Sequence, residues 1–275
     1  MKAAVTLAFV TLVAVGACSS SAPRTRAAHA VGKPSAASAS VPAVATTLVL
    51  PSDLRAGGTW ARVPTTRPVV FLTFDAGADA AGAPKILAAL HRAGIAATFF
   101  MTAQWALSYP DAARQIATSY AVGNHTYDHR DLTKLTDDAV RHEVTGAATV
   151  IRDVTGRDPA PLFRFPFGAE NAHLVGLVNS LGYGDFGWTV DTLGWMGVSH
   201  GQSAAIAVNR VLSKVQPGEI VLMHVGAHPT DHSTIDADAL PDIIAGLQAR
   251  GYGFAALDQF LTPAELDSPS TTRAG

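Results

Sequence analysis

A second cysteine is missing from this chain. Cys18 is its only one, so no disulfide can form within it and stability must come from packing. Charge is also sparse: 15% of the residues are charged, the net charge is −2, and no basic run occurs. Electrostatic capture of nucleic acid needs clustered lysine and arginine, so that class of function is excluded. No internal repeat of solenoid type is present. A neutral polymer such as a glycan suits this balance. What the chain has in quantity is apolar material, 48% of 275 residues, enough for one large core of ordinary barrel size.

The longest apolar stretch near the N-terminus, Ala3 to Ala17, is too short to span a bilayer comfortably. It follows Lys2 and ends in small residues, the pattern of an export signal over residues 1–17. Val15-Gly16-Ala17-Cys18 resembles a bacterial lipobox, in which cleavage exposes a cysteine that becomes lipid-modified. Plain signal cleavage near Ala17, with Cys18 incidental, is the competing interpretation. Residues 18–50 are rich in Ser, Ala, Pro, Val and Thr without sustained period and read as anchor plus flexible spacer. Residues 266–275 read as a tail, which leaves a domain over 51–265. The expectation is an exported monomer at the cell envelope, held to the membrane by lipid or else secreted.

Within that domain strand-like and helix-like segments alternate. Val69 to Leu72 is continuously apolar, as a strand buried on both faces should be. Further strands are expected at Ala97–Met101, Tyr120–Val122, Leu162–Phe165, Asp185–Val190, Glu219–Met223 and Gly253–Leu257. Helices are expected near Ala83–Arg92 with Gly94 as C-cap, Asp111–Ser119, Asp137–Val154 with Thr136 as N-cap, Ala172–Leu181, Ala204–Lys214 and Ala239–Arg250. About seven strands joined by crossover helices imply an α/β fold, a distorted parallel barrel.

Five polar segments close apolar runs: Thr73-Phe74-Asp75, His125 to His129, Arg164 to Gly168, Asp191 to Trp195, and Leu222-Met223-His224. Barrels of this kind carry their chemistry at the C-terminal ends of the strands. Asp75 suits a general base beside an activated water, or a local cap of a βα turn. His125 and His129, four apart, suit a shared metal on a tight turn or helix, or are satisfied structural histidines. His224 and His228, and His228 and His232, have the same spacing. His224 ends a buried-strand run and needs a partner or a job; a general acid for a leaving amine would suit it. Arg164, among Leu162, Phe163 and Phe165, requires a carboxylate, and Asp75 is the candidate across the mouth, as part of the site or as a purely scaffolding ion pair.

Taken in order, these segments resemble the five motifs of the polysaccharide deacetylases of the NodB-homology type, carbohydrate esterase family 4, over about residues 67–260. The family patterns are TFDD, H-[ST]-x-x-H, R-x-P-[YF]-G, D-x-x-D-W and L-x-H. The resemblance implies metal-dependent removal of acetyl groups from a glycan such as peptidoglycan or a chitin-like oligosaccharide. It makes Asp75 the base, His224 the acid, Arg164 the residue that orients Asp75, and His125 and His129 metal ligands. Phe167, Trp195 and Leu222 would contact substrate. Zinc is the default metal for such a site, with nickel, cobalt and manganese also compatible.

Two departures stand out. Ala76 replaces the second aspartate of the first motif, a metal ligand in the family, and Asp79 is the nearby candidate to substitute, although a glycine-containing turn also takes aspartate for local reasons. Gly194 replaces the second aspartate of the fourth motif, which tunes the catalytic histidine, leaving Asp191 as the expected partner of His224. The expected activity is N-deacetylation. An O-acetyl (xylan) esterase and a non-catalytic glycan-binding protein on the same scaffold are the alternatives.

Overall fold

A computed structural model of the chain describes residues 48–261. The signal segment, Cys18, nearly all of the spacer and the C-terminal tail lie outside the described residues. No helix among the described residues is long and apolar enough to cross a membrane.

In chain order the elements are α1 (Ser52–Arg55), β1 (Val69–Ala76), α2 (Ala83–Ala93), β2 (Thr98–Met101), α3 (Ala103–Ser108), α4 (Pro110–Ser119), β3 (Ala121–Asn124), α5 (Asp137–Thr155), β4 (Leu162–Phe163), α6 (Ala172–Ser180), β5 (Gly184–Asp185), β6 (Val190–Asp191), α7 (Ala204–Leu212), β7 (Glu219–His224), α8 (Ile235–Gln248) and β8 (Gly253–Phe254). Every pairing between these strands is parallel, in the order β5-β4-β3-β2-β1-β7-β6. The expected α/β barrel is therefore present as a curled, open one. Two-residue β8 adds an eighth strand by pairing with Val69 and Val70 at the start of β1.

Side-chain alternation along the strands decides what reaches the mouth. In β1, Val70, Leu72, Phe74 and Ala76 pack in the core beneath the helices. Val69 and Phe71 belong to a second core inside the curl, with Phe100, Leu162, Phe186 and Ile220. Continuing that inner face by twos gives Thr73 and then Asp75. In β7, Val221 and Met223 join the helix-side core and Ile220 the inner one, so His224 falls on the inner face. Asp75 and His224 are register partners of adjacent strands. A slip of one residue would bury both polar groups under the helices.

Local signals explain most boundaries. Gly94 closes α2 in the left-handed conformation at φ 62°, and the Thr136 hydroxyl accepts from Ala139 N–H at the start of α5. Besides the unexpected single turn α1, two helices depart from expectation. Six-residue α3 begins directly after β2, where the Thr102 side chain caps Trp105 N–H at 3.0 Å. Helix α8 starts at Ile235, four residues before the expected Ala239, and runs through Pro241. A proline there removes only one helical N–H donor, and the buried face of Ile235, Leu240, Ile243, Ile244 and Leu247 holds the helix regardless. The strand expected over Asp185–Val190 is two separate strands, β5 and β6, pairing with opposite ends of the sheet. The segment between them spans the gap in the curl.

Candidate active site

Arg164 is the centre of the mouth. It is completely buried, lies just past β4, and every acceptor it reaches belongs to the site or its wall. Nε donates to the Phe186 carbonyl at 2.8 Å and Nη2 to the Gly187 carbonyl at 3.0 Å. These carbonyls belong to the segment that spans the gap. Nη1 donates to Thr73 Oγ1 at 2.9 Å and to Asp75 Oδ1 at 2.8 Å. The guanidinium carbon Cζ lies 4.2 Å from the Phe100 ring centroid. A fixed fork of donors suits arginine and not lysine here.

Asp75 therefore has one oxygen on Arg164 and the other, Oδ2, 3.4 Å from His125 Nε2. Burial alone would raise its pKa, but Arg164, His125 and His224 together outweigh burial and hold the carboxyl below its ordinary value. It is an ionised carboxylate at neutral pH.

The histidine loop is a tight turn. Thr126 and His129 take left-handed backbone angles, φ 70° and 64°. Asn124 Oδ1 accepts Thr126 N–H and Thr126 Oγ1 accepts His129 N–H. The buried Glu143 carboxylate on α5 accepts Tyr127 N–H at 3.0 Å and Asp128 N–H at 3.3 Å. Among the described residues, non-glycine positive φ occurs at Thr126, His129, Phe167, Leu193 and His232, and the first four lie in loops following β3, β4 and β6. Backbone strain of this kind gathers where side chains must be aimed.

His125 Nδ1 lies 2.9 Å from the Arg164 carbonyl, which can only accept, so Nδ1 carries the proton and Nε2 presents a lone pair. The ring centroids of His125 and His129 are 4.8 Å apart. Burial lowers both imidazoles, and neighbouring His125 adds to the effect on His129, which falls to about 4. Both are neutral at pH 7, the form that binds a metal. These two donors fit a divalent cation; a third does not join them. No group of three His, Cys, Asp or Glu side chains able to hold a metal occurs among the described residues. Ala76 packs in the helix-side core.

Asp79 does not fill that gap. Its Oδ1 accepts Ala81 N–H at 2.8 Å and Ala227 N–H at 2.9 Å, stapling the loop after β1 to the loop after β7. It has a local backbone role, as aspartate in a turn commonly does. His228 and His232 form no metal group either: His228 Nδ1 lies 3.2 Å from Asp231, whose carboxylate also ties down Ser199 and Ser233.

Asp191 is likewise not beside His224. Its oxygens accept Leu193 N–H at 2.7 Å and Trp195 Nε1–H at 3.3 Å, so it shapes the loop after β6. The carboxylate at His224 is Asp236, from the first turn of α8. Asp236 Oδ2 accepts His224 N–H at 2.7 Å and lies 3.5 Å from His224 Nδ1. Burial would lower the His224 pKa, but Asp236 first, then Asp75 and Asp191, raise it above its ordinary value. The sequence reading missed Asp236 and the bridging hydroxyl of Thr73.

Phe167 and Trp195 stand out of the surface, 68% and 50% exposed. Phe167 packs edge-on against His129 with centroids 4.6 Å apart. Leu222 is buried in β7, in register with Thr73 and Asp191. The structure thus gathers Asp75, Arg164, His125, His129 and His224 at one mouth, with Phe167 on the loop after β4 and Trp195 on the loop after β6.

Comparisons agree with this geometry. The polysaccharide deacetylase family model matches residues 62–185. The chain is 32% identical over 195 residues to a peptidoglycan-N-acetylglucosamine deacetylase of Bacillus cereus, covering 70% of this chain and 68% of that protein. It is 29% identical over 209 residues to a chitooligosaccharide deacetylase of Azorhizobium caulinodans, covering 73% and 98%. Among solved structures, a CE4 family pseudoenzyme from Bacillus anthracis superposes with a TM-score of 0.67 at 26% identity, covering 74% and 69%. A mutant of that pseudoenzyme is described as having restored enzymatic activity. With its five ordered motifs on a curled parallel barrel, the chain belongs to the polysaccharide deacetylases of the NodB type, carbohydrate esterase family 4.

Proposed function

We propose that this protein is a hydrolase that removes N-acetyl groups from an envelope or environmental glycan, peptidoglycan or a chitin-like oligosaccharide. The observation that carries the proposal is the pairing of an ionised Asp75 with His224 across adjacent strands, one held charged by Arg164 and the other backed by Asp236. A base and an acid with separate supporting partners are what amide hydrolysis needs.

Asp75 Oδ2, the oxygen not committed to Arg164, takes the proton of the attacking water. Arg164 fixes the other oxygen, so the base cannot rotate away. His224 gives a proton to the departing amine, leaving acetate and a free amino sugar. Phe167 and Trp195 offer apolar faces to a sugar ring, and Leu222 packs behind the acetyl methyl. His125 and His129 would hold a divalent cation, zinc by preference, with nickel, cobalt or manganese as alternatives. Such a cation supplies Lewis acidity toward the acetyl carbonyl and the water.

A second reading has its own support. Two imidazoles without a third protein donor, on a fold shared with a pseudoenzyme, suit a protein that binds N-acetylated glycan without cleaving it. Acetate release from peptidoglycan, chitin oligomers and acetylxylan by the zinc-loaded protein separates the two readings. It also separates N- from O-deacetylation. The proposal extends to cell location: export through residues 1–17 and a lipid on Cys18 would hold the domain at the membrane face of the wall.

A further inference from the structure

We propose that Asp236 is the positioning residue of His224, supplying from α8 the carboxylate that position 194 does not. This rests on the deacetylase reading above. Three observations carry it, and none concerns the metal. First, Asp236 is 3% exposed, yet it makes no ion pair with lysine or arginine among the described residues; its contacts are the His224 N–H, the Thr192 hydroxyl at 2.6 Å from Oδ1, and His224 Nδ1. A buried carboxylate supported only by neutral donors and one imidazole is costly to keep unless the imidazole needs it. Second, His224 Nδ1 is buried and has no hydrogen-bond partner among the described residues. At 3.5 Å it is a few tenths of an ångström from a good bond to Asp236 Oδ2.

Third, Gly194 and Asp236 occupy one space. A Cβ on Gly194 would run into Asp236 Oδ1 and would stand 2.5 Å from its Cγ and 2.8 Å from Oδ2. Gly194 has no positive φ that would demand glycine, so the absence of a side chain serves the carboxylate. The missing side chain at 194 and the carboxylate at 236 form one compensated arrangement. Asp236 then has a defined effect on the reaction. Accepting from Nδ1–H, it fixes the tautomer and ring plane of His224 and leaves Nε2 to face the leaving amine. It never touches substrate.

Two measurements test this. In the wild-type protein, ¹⁵N-edited spectra of the histidines, assigned to His224 by its loss in His224→Gln, should show neutral His224 protonated at Nδ1. Free imidazole prefers the other tautomer, so an Nε2-protonated His224 overturns the inference. This readout needs no activity, and it holds or fails independently of the deacetylase reading. Kinetics supply the second test, with Asp236→Asn and Gly194→Ala as independent variants that displace or neutralise the same carboxylate. Both should lower kcat on an N-acetyl glycan by about 10- to 100-fold with KM little changed, short of the full contribution of a general acid. Both should lose at least tenfold less on an activated aryl acetate, whose leaving group needs little protonation. Equal losses on the two substrates, or a Gly194→Ala variant with wild-type kcat, overturn it. If either variant fails to fold, the other and the tautomer decide.

Discussion

Replacing Arg164 by methionine should destabilise the fold well beyond an ordinary core substitution. The arginine side chain is buried, and its four hydrogen bonds end on Asp75, Thr73 and the carbonyls of Phe186 and Gly187. Methionine fills part of the volume but leaves Asp75 as a buried anion facing a neutral imidazole, His125. Breaking a buried pair from one side costs about 3–5 kcal/mol. For a domain of this size that is a fall in Tm of about 6–20 °C. Urea titration followed by tryptophan fluorescence gives the free energy directly. Much of the loss comes from the stranded charge, so Asp75→Asn in the same chain should return about 2 kcal/mol or more, a coupling typical of contacting residues. Arg164→Lys should fall between wild type and methionine, since one ammonium cannot reach four acceptors in a plane. An Arg164→Met variant within 1 kcal/mol of wild type, or one not relieved by Asp75→Asn, would refute the reasoning that this pair holds the mouth together.

Three further outcomes are expected. Glu219 is buried with neither oxygen hydrogen-bonded, and burial pushes its carboxyl up from 4.5 to about 7. A raised pKa makes its contribution full below about pH 4.5 and lost as pH rises through about 7, on the order of 3 kcal/mol in all; Glu219→Gln should flatten that decline in Tm against pH, and an unchanged profile would count against it. His125→Ala and His129→Ala should each lower zinc content by equilibrium dialysis at least tenfold, whereas Asp79→Ala should keep its zinc, because Asp79 is committed to the backbone of Ala81 and Ala227. Zinc loss in Asp79→Ala with the fold intact would reinstate it as a ligand. Cys18→Ala should release the protein from the membrane fraction or block its processing, and unchanged fractionation would defeat the anchor.

The mouth was legible in the sequence because each of its principal groups ends an apolar run and alternation by two carries that group to the inner face. Phe71, Thr73 and Asp75 follow from one another in this way, as do Ile220, Leu222 and His224. The Arg164–Asp75 pair followed from the cost of burying either alone. Asp236 was hidden for a different reason. The expected helix began at Ala239, and without the first turn of α8 nothing brings residue 236 to His224. Asp191, close in sequence to the missing aspartate, was the natural local choice, but the loop after β6 turns its oxygens onto Leu193 and Trp195. Gly194 carried a signal that only three-dimensional contact could decode. The sequence left Asp79 open between ligand and turn residue, because both have the same local sequence; its contact with the backbone N–H of Ala227, 148 residues away, favours the turn role.

The central claim is that Asp75 and His224 act as base and acid on an N-acetyl group. The most direct measurement is acetate released from peptidoglycan or chitin oligomers by the zinc-loaded protein, wild type against Asp75→Asn, with glycan binding measured on the same samples. The account predicts steady acetate release by wild type. It predicts a loss of about 10²–10⁴-fold in Asp75→Asn, with binding retained. Glycan binding without acetate release in wild type, or an Asp75→Asn variant that releases acetate at the wild-type rate, would contradict it.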